Sequence, residues 1–256
     1  MHPQEKYFDE IAMGYDRMDT GSTAVRKYCE APTALKLATP LHGKSVLEVA
    51  CSDGFFSRLL KRAGALRVTG VDLSPKMIAL AQACERKEPL GIVYHVADIL
   101  RESTLAEDFD LVFSSFVLSY ARDRDELVSM CRALRKRLKP GGRLISMNDN
   151  PDLLEDSVTG FSKYGKTKRV SPSLKDGATI TVSWEEIDEH GSTESFSFDC
   201  KYFTRDTLVR SLQEAGFSDV KVHQPEVSEE GLDLLGREYW QLFLNNPLLV
   251  FITAGT

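Results

Sequence analysis

Gly54 and Asp72 stand roughly 20 residues apart, each just past a short apolar run, the spacing of a nucleotide-type site. A helix opening at Gly54 presents backbone N–H groups and its positive dipole end to an anion. A carboxylate at Asp72 can accept both hydroxyls of a ribose, and the same spacing also suits a nicotinamide dinucleotide. Asp98, in Ala97-Asp98-Ile99, follows a third run and is placed to accept from an adenine amino group. A fourth run, residues 109–114, leads to Ser115, Phe116 and Tyr120. Asp149 follows a fifth and is the best-placed general base, ahead of His2, His42, His95, His190 and His223.

These groups meet only if their runs are strands of one sheet with its C-terminal edge in common. The pattern supports that. Residues 45–50, 67–71, 91–96, 109–114 and 143–147 read as strands. Helices are expected at 55–62, at 74–86 behind the Ser74 cap and Pro75, and at 125–138. Lys139-Pro140-Gly141-Gly142 stops the last of these. Repeated βα units demand right-handed crossovers and a parallel sheet covered on both faces, an α/β fold. After Asn150 the rhythm breaks, and residues 178–187 and 195–202 alternate as an antiparallel hairpin. A helix at 204–216, a strand at 219–223, a helix at 228–244 and a strand at 248–253 follow, the last two strands pairing antiparallel at the sheet edge. The expected organisation is one domain, 1–256, with a helical cover at 1–42, an inserted β lid at 151–202 that gates the site, and a helical insertion at 225–247.

The chain has 256 residues, enough for one such domain with insertions. A formal net charge of −6 lowers the case for duplex DNA as partner, and Lys163, Lys166, Lys168 and Arg169 read as a solvated loop. The five cysteines, Cys29, Cys51, Cys84, Cys131 and Cys200, form no CxxC pair, as expected in a reducing compartment. Residues 1–7 carry no signal peptide, and the longest apolar run, 247–254, is too short to cross a bilayer. A soluble cytoplasmic protein is expected, monomer or homodimer, with neither nucleic acid nor membrane as partner.

Taken in order, Glu48 to Gly54, Asp72, Asp98, Phe109-Asp110-Leu111-Val112 and Leu138-Lys139-Pro140-Gly141-Gly142-Arg143-Leu144 resemble the motifs of class I S-adenosylmethionine-dependent methyltransferases. Residues 7–16 resemble that family's cofactor-covering N-terminal helix. The resemblance implies a Rossmann-like, seven-stranded, mostly parallel sheet with a reversed terminal hairpin. It implies that Tyr15 and the turn from Ala50 to Gly54 hold the methionine end of the cofactor, Asp72 the ribose, and Asp98 with Ile99 the adenine. Glu48, Phe55, Leu73, Met77, Ser115 and Phe116 complete that set, with Phe116 near the methyl group. The family's glycine-rich turn has glycine where this chain has Ala50 and Ser52, so closer backbone approach is limited there.

Methyl transfer needs an acceptor aligned behind a reactive methyl, which can supply ~7–11 kcal/mol, and a base only if the acceptor keeps its proton. No triad or metal cluster is required. Acceptor candidates are Tyr7, Phe8, Tyr120, Asn148, Tyr164, Trp184, Tyr202, Tyr239, Trp240 and Phe243, with Asp149, Tyr120 and Tyr7 as candidate catalytic groups. Each aromatic is as readily a core residue. Together they favour a small, flat, aromatic or heteroaromatic metabolite methylated on nitrogen, and the chain resembles azapteridine-type N-methyltransferases of secondary metabolism. A metal-dependent catechol-type O-methyltransferase would use Asp149-Asn150 but lacks an acid at Ser115-Phe116. An adenine-specific DNA methyltransferase lacks its motif at Ser114-Ser115-Phe116-Val117. A dehydrogenase would show G-x-G-x-x-G in place of Ala50 to Phe55. A non-catalytic partner protein on the same fold stays open.

Overall fold

The computed structural model describes residues 9, 12, 23–101, 105, 108–152, 161, 163–164, 166–170, 175–187 and 193–256. A π-helical turn, Arg26–Glu30, runs into α1 (Ala31–Ala38). The βα units follow: β1 (Ser45–Val49), α2 (Phe55–Arg62), β2 (Arg67–Asp72), α3 (Pro75–Lys87), β3 (Val93–Val96), β4 (Phe109–Ser115), a 3-10 turn (Val117–Tyr120), α4 (Arg124–Lys136) and β5 (Leu138–Asp149). Then come β6 (Lys166–Val170), β7 (Thr179–Ile187), β8 (Thr193–Lys201), α5 (Arg205–Glu214), β9 (Ser218–His223), α6 (Glu229–Asn245) and β10 (Leu249–Gly255).

Seven strands form one sheet in the order β3-β2-β1-β4-β5-β10-β9. Strands β1 to β5 are parallel, and β10 runs antiparallel to both neighbours. The reversed hairpin is present, but β10 lies inside the sheet and β9 takes the edge. Composition explains this: Leu249, Val250, Phe251 and Ile252 are apolar on both faces and buried, whereas β9 alternates with charge.

Helices cover both faces. Alternate strand residues Val46, Leu111, Phe113, Ile145 and Phe251 pack on one side with α1, α2, α3 and α6. Leu47, Val112, Leu144 and Ile252 pack on the other with α4 and α5. Caps read from the sequence form as expected: Ser74 Oγ accepts from Met77 N at 3.2 Å, and Thr204 Oγ1 from Thr207 N at 3.3 Å. Strand β5 begins earlier than the glycine pair suggested, because Leu138 already pairs with Phe109 and a bulge absorbs the turn before Arg143. At the sheet's other end Asp110 is pinned by Lys139 at 2.7 Å and by Ser45 N at 2.8 Å. Burial alone would raise its carboxyl, but these partners outweigh it and hold Asp110 well below the usual range.

The insertion is larger than a hairpin. Strands β6, β7 and β8 form a separate three-stranded antiparallel sheet, and β6 falls on the stretch where Lys166, Lys168 and Arg169 suggest a solvated loop.

Candidate active site

A cleft of about 1620 Å³, counted with its open mouth, runs along the C-terminal edge of β1 to β5. Its floor is the β1–α2 turn. Ala50, Ser52 and Gly54 have φ of 58°, 49° and 80°, so three alternate residues are left-handed. The chain therefore keeps the backbone path of a glycine turn without two of its glycines, and an L residue is strained there by roughly 1–2 kcal/mol. Asp72 helps impose that path. Its Oδ2 accepts from Ser52 N and its Oδ1 from Ser74 N, both at 2.9 Å. Burial raises Asp72, opposed by the amides of Ser74, Ser52 and Leu73. A carboxylate has about four acceptor positions, so these two bonds leave capacity for ribose hydroxyls.

Beneath the turn, Gly54 and Gly70 make room for one ring. A Cβ at Gly70 would stand 2.6 Å from Tyr94 Cδ1, and one at Gly54 would collide with the Tyr94 hydroxyl. Glu48 is fully buried at the end of β1, where Ser57 Oγ donates to it. Burial pushes its carboxyl up to about 8. Asp98 caps its own turn, accepting from Leu100 N at 2.9 Å, with Arg101 3.3 Å away. Asp9 reaches the same edge and accepts from Ser74 Oγ at 2.5 Å.

The other half of the cleft is built by the ends of β4 and β5 and by the second sheet. Phe116 is left-handed at φ 58°, and the neighbouring Ser115 Oγ is buried with no hydrogen-bond partner among the described residues. Ser119 Oγ donates to Asp149 Oδ2 at 3.1 Å, and Cys200 Sγ lies 3.7 Å from the same oxygen. Ile180–Cys200 and Val182–Phe198 are cross-strand pairs two positions apart, so they share a face. Val182, Phe198 and Cys200 line the cleft, and Phe198 stands 6.3 Å from Tyr120 between ring centroids.

Of the residues expected from the sequence, Glu48, Ala50, Ser52, Phe55, Asp72, Leu73, Asp98, Ile99, Ser115, Phe116, Tyr120 and Asp149 line this cleft. Gly54 shapes its turn from below. Several others lie elsewhere. Met77 is buried in α3. Asn148 is on the opposite face of β5 from Met147 and Asp149, and its amide bonds Ser146 O and Oγ, both at 3.1 Å. Strand alternation allows only one of Asn148 and Asp149 to face the cleft. Tyr164 stacks on Trp240 at 5.8 Å and 14°, and its hydroxyl donates to Tyr239 O at 2.8 Å. Tyr239 donates to Lys163 O, Trp240 to Gly231 O, and Tyr202 to Pro151 O. Together with Phe243 these aromatics are packing and tethering residues, not cleft walls. Trp184 sits in β7, but its side chain lies outside the described residues, as do Tyr7, Phe8 and Tyr15. Asn150 bonds Pro247 O at 2.7 Å, and no described histidine lines the cleft.

The sequence reading missed Arg26, Ser119, Val182, Phe198 and Cys200. The period-two pattern of β7 and β8 carried a signal for three of them. Arg26 carried none, being one cation in an N-terminal helix.

A methyltransferase-domain model matches residues 46–142, the stretch from β1 to β5 that forms the cleft floor. The chain is 34% identical over 181 residues to the N-demethylindolmycin N-methyltransferase of Streptomyces griseus, covering 70% of this chain and 72% of that one. It is 36% identical over 118 residues to the ubiquinone biosynthesis O-methyltransferase of Coxiella burnetii, a match that spans only 46% of either chain. The CcbJ methyltransferase of Streptomyces caelestis shares the fold, with a TM-score of 0.69, 19% identity and coverage of 97% and 96%. With a left-handed β1–α2 turn, an acid at the end of β2 and relatives of this kind, the chain belongs to the class I S-adenosylmethionine-dependent methyltransferases.

Proposed function

We propose that this enzyme methylates a nitrogen atom of a small aromatic or heteroaromatic metabolite, with Asp149 as the group that receives the acceptor's proton. The observation carrying this reading is Asp149 itself. It ends β5 on the cleft face, is bonded by Ser119, and shares its half of the cleft with the Tyr120 and Phe198 rings. Apolar walls with a few placed polar groups suit a flat organic acceptor. The likeness to an enzyme named for N-methylation supports nitrogen.

The residues present fit S-adenosylmethionine. The turn from Ala50 to Gly54 would hold its methionine end, Asp72 the ribose, and Asp98 with Ile99 the adenine. Ser115 Oγ, buried and without a partner among the described residues, marks a polar position that a ligand would complete. When bound, the cofactor supplies an electrophilic methyl group. The chain's own part is alignment and exclusion of water. The sheet of β6 to β8 contributes Val182, Phe198 and Cys200 to the cleft, and we assign the insertion at 151–202 the gating of acceptor entry. We place the enzyme in the cytoplasm and in secondary metabolism. Among the described residues no helix is long and apolar enough to cross a membrane.

Calorimetric titration with S-adenosylmethionine and S-adenosylhomocysteine tests the first step, with micromolar binding of about −8 kcal/mol expected. Transfer from a labelled methyl donor to a heteroaromatic panel, with the product read by NMR, tests the second. Absence of cofactor binding at millimolar concentration overturns the enzyme reading. Methyl found on oxygen or carbon overturns the choice of nitrogen.

A further inference from the structure

Strand β3 is an edge of the seven-stranded sheet and buries one of its four side chains, Tyr94, while Val93, His95 and Val96 are exposed. Tyr94 pairs in register with Gly70 of β2, and its ring passes from there to lie under the β1–α2 turn. A Cβ at Gly70 would stand 2.6 Å from Cδ1 and 2.7 Å from Cε1 of that ring. One at Gly54 would stand 2.8 Å from Cζ and 2.9 Å from Cε1. Two glycines on different segments are therefore needed to admit a single side chain. The turn it underlies is strained. Ala50, Ser52 and Gly54 are all left-handed, and the first two carry a Cβ that disfavours that path. Asp72 holds the turn at Ser52 N, and Gly54 N closes it on Cys51 O at 2.7 Å. The far end of the Tyr94 ring meets it at Gly54, where α2 opens.

We propose that Tyr94 is a positioning residue for the cofactor, its ring being the floor that keeps the β1–α2 turn in the path that binds the methionine end. The inference rests on the cofactor assignment above and is independent of the acceptor. Tyr94 does not line the cleft, so it acts through the turn. Without the ring, Gly54 loses its support and the turn relaxes toward conformations that suit Ala50 and Ser52. The fraction of molecules ready to bind then falls, and the apparent dissociation constant rises by the inverse of that fraction.

The test is calorimetric titration with S-adenosylhomocysteine of the unaltered enzyme, Tyr94→Leu, Tyr94→Phe and Leu212→Ala, each well below its melting temperature. Leucine fills the Gly70 end of the space and stops short of Gly54, whereas phenylalanine keeps the ring under both. Tyr94→Leu is expected to bind about tenfold more weakly or worse, and Tyr94→Phe to stay within about twofold of the unaltered enzyme. Leu212 is buried in α5 on the other face of the sheet, so Leu212→Ala should lower the melting temperature and leave affinity unchanged. Gly70→Ala, whose methyl displaces the same ring from β2, is expected to weaken binding as Tyr94→Leu does and replaces it should that variant not fold. The inference is overturned if the variant that displaces or removes the ring binds as tightly as the unaltered enzyme. It is equally overturned if Tyr94→Phe loses as much, which would make the hydroxyl the active part. A matching loss in Leu212→Ala overturns it too, because affinity would then follow overall stability. Failure of the unaltered enzyme to bind strikes the cofactor assignment itself and the inference with it, a result distinct from the other three.

Discussion

Ser119 Oγ donates to Asp149 Oδ2 across 3.1 Å, joining the 3-10 turn after β4 to the last residue of β5. The bond fixes one carboxylate oxygen from the side and so orients the other. Ser119→Ala removes that constraint without altering the β1–α2 turn. Methyl-transfer kcat/KM is expected to fall by about tenfold, in keeping with ~1–1.5 kcal/mol for one hydrogen bond. Cofactor affinity is expected to stay unchanged, and Ser119→Thr to restore most of the rate. A parallel loss of cofactor binding in Ser119→Ala would mark a merely structural role.

The left-handed residues at 50 and 52 make a second case. Ala50→Gly and Ser52→Gly relieve Cβ strain, and each is expected to stabilise the chain by about 1 kcal/mol, net of the added freedom of the unfolded chain. Thermal unfolding without ligand reads this directly. Cofactor affinity then separates two roles for Ser52. An unchanged or tighter dissociation constant in Ser52→Gly means the side chain only costs strain. A loss of tenfold or more means its hydroxyl bonds the cofactor.

Why some of this site was legible follows from periodicity. Glu48 lies inside the β1 run and is marked by the family resemblance, but Asp72, Asp98 and Asp149 each close an apolar run, and in a parallel sheet run-ends share an edge. One-dimensional spacing was enough for these. It could not separate Asn148 from Asp149 until the phase of β5 was known, because both follow the same run. Nor could it tell an aromatic wall from an aromatic core. Tyr164, Tyr239 and Trp240 satisfy their polar atoms on backbone carbonyls of one another's neighbourhoods, a long-range relationship that no local pattern encodes. Strand β6 was hidden by its charges, because Lys166, Lys168 and Arg169 break the apolar alternation that marks a strand, and its pairing with β7 is a long-range relationship.

Asp72 serves two partners, and its variants should divide accordingly. Asp72→Ala removes the acceptor of Ser52 N and Ser74 N along with the expected ribose contact. Cofactor affinity is expected to fall by tenfold or more, with each hydrogen bond to a charged group contributing roughly 1.5–3 kcal/mol. The melting temperature without ligand should fall too, because the buried Ser74 amide and the part-buried Ser52 amide lose their partner. Asp72→Asn keeps one oxygen and the shape, so its stability loss should be smaller while its affinity loss persists. Unaltered affinity in both variants would remove Asp72 from the cofactor site.

Glu48 gives a pH dependence with a definite sign. Its ordinary value is 4.5, and burial pushes it to about 8 in the fold, so the native chain holds a proton that the unfolded chain releases. The stability it contributes is whole below pH 4.5 and is lost as the pH rises to about 8. Glu48→Gln is neutral throughout and retains an acceptor for Ser57 Oγ. Subtracting the unfolding free energy of Glu48→Gln from that of the unaltered chain cancels the other titrating groups. The difference is expected to shrink between those limits by an amount on the order of a few kcal/mol. Urea unfolding at closely spaced pH values measures it. A flat difference would mean that Glu48 is ionised in the native state, and a charged, buried carboxylate would then have to be counted in the field acting on the cofactor turn.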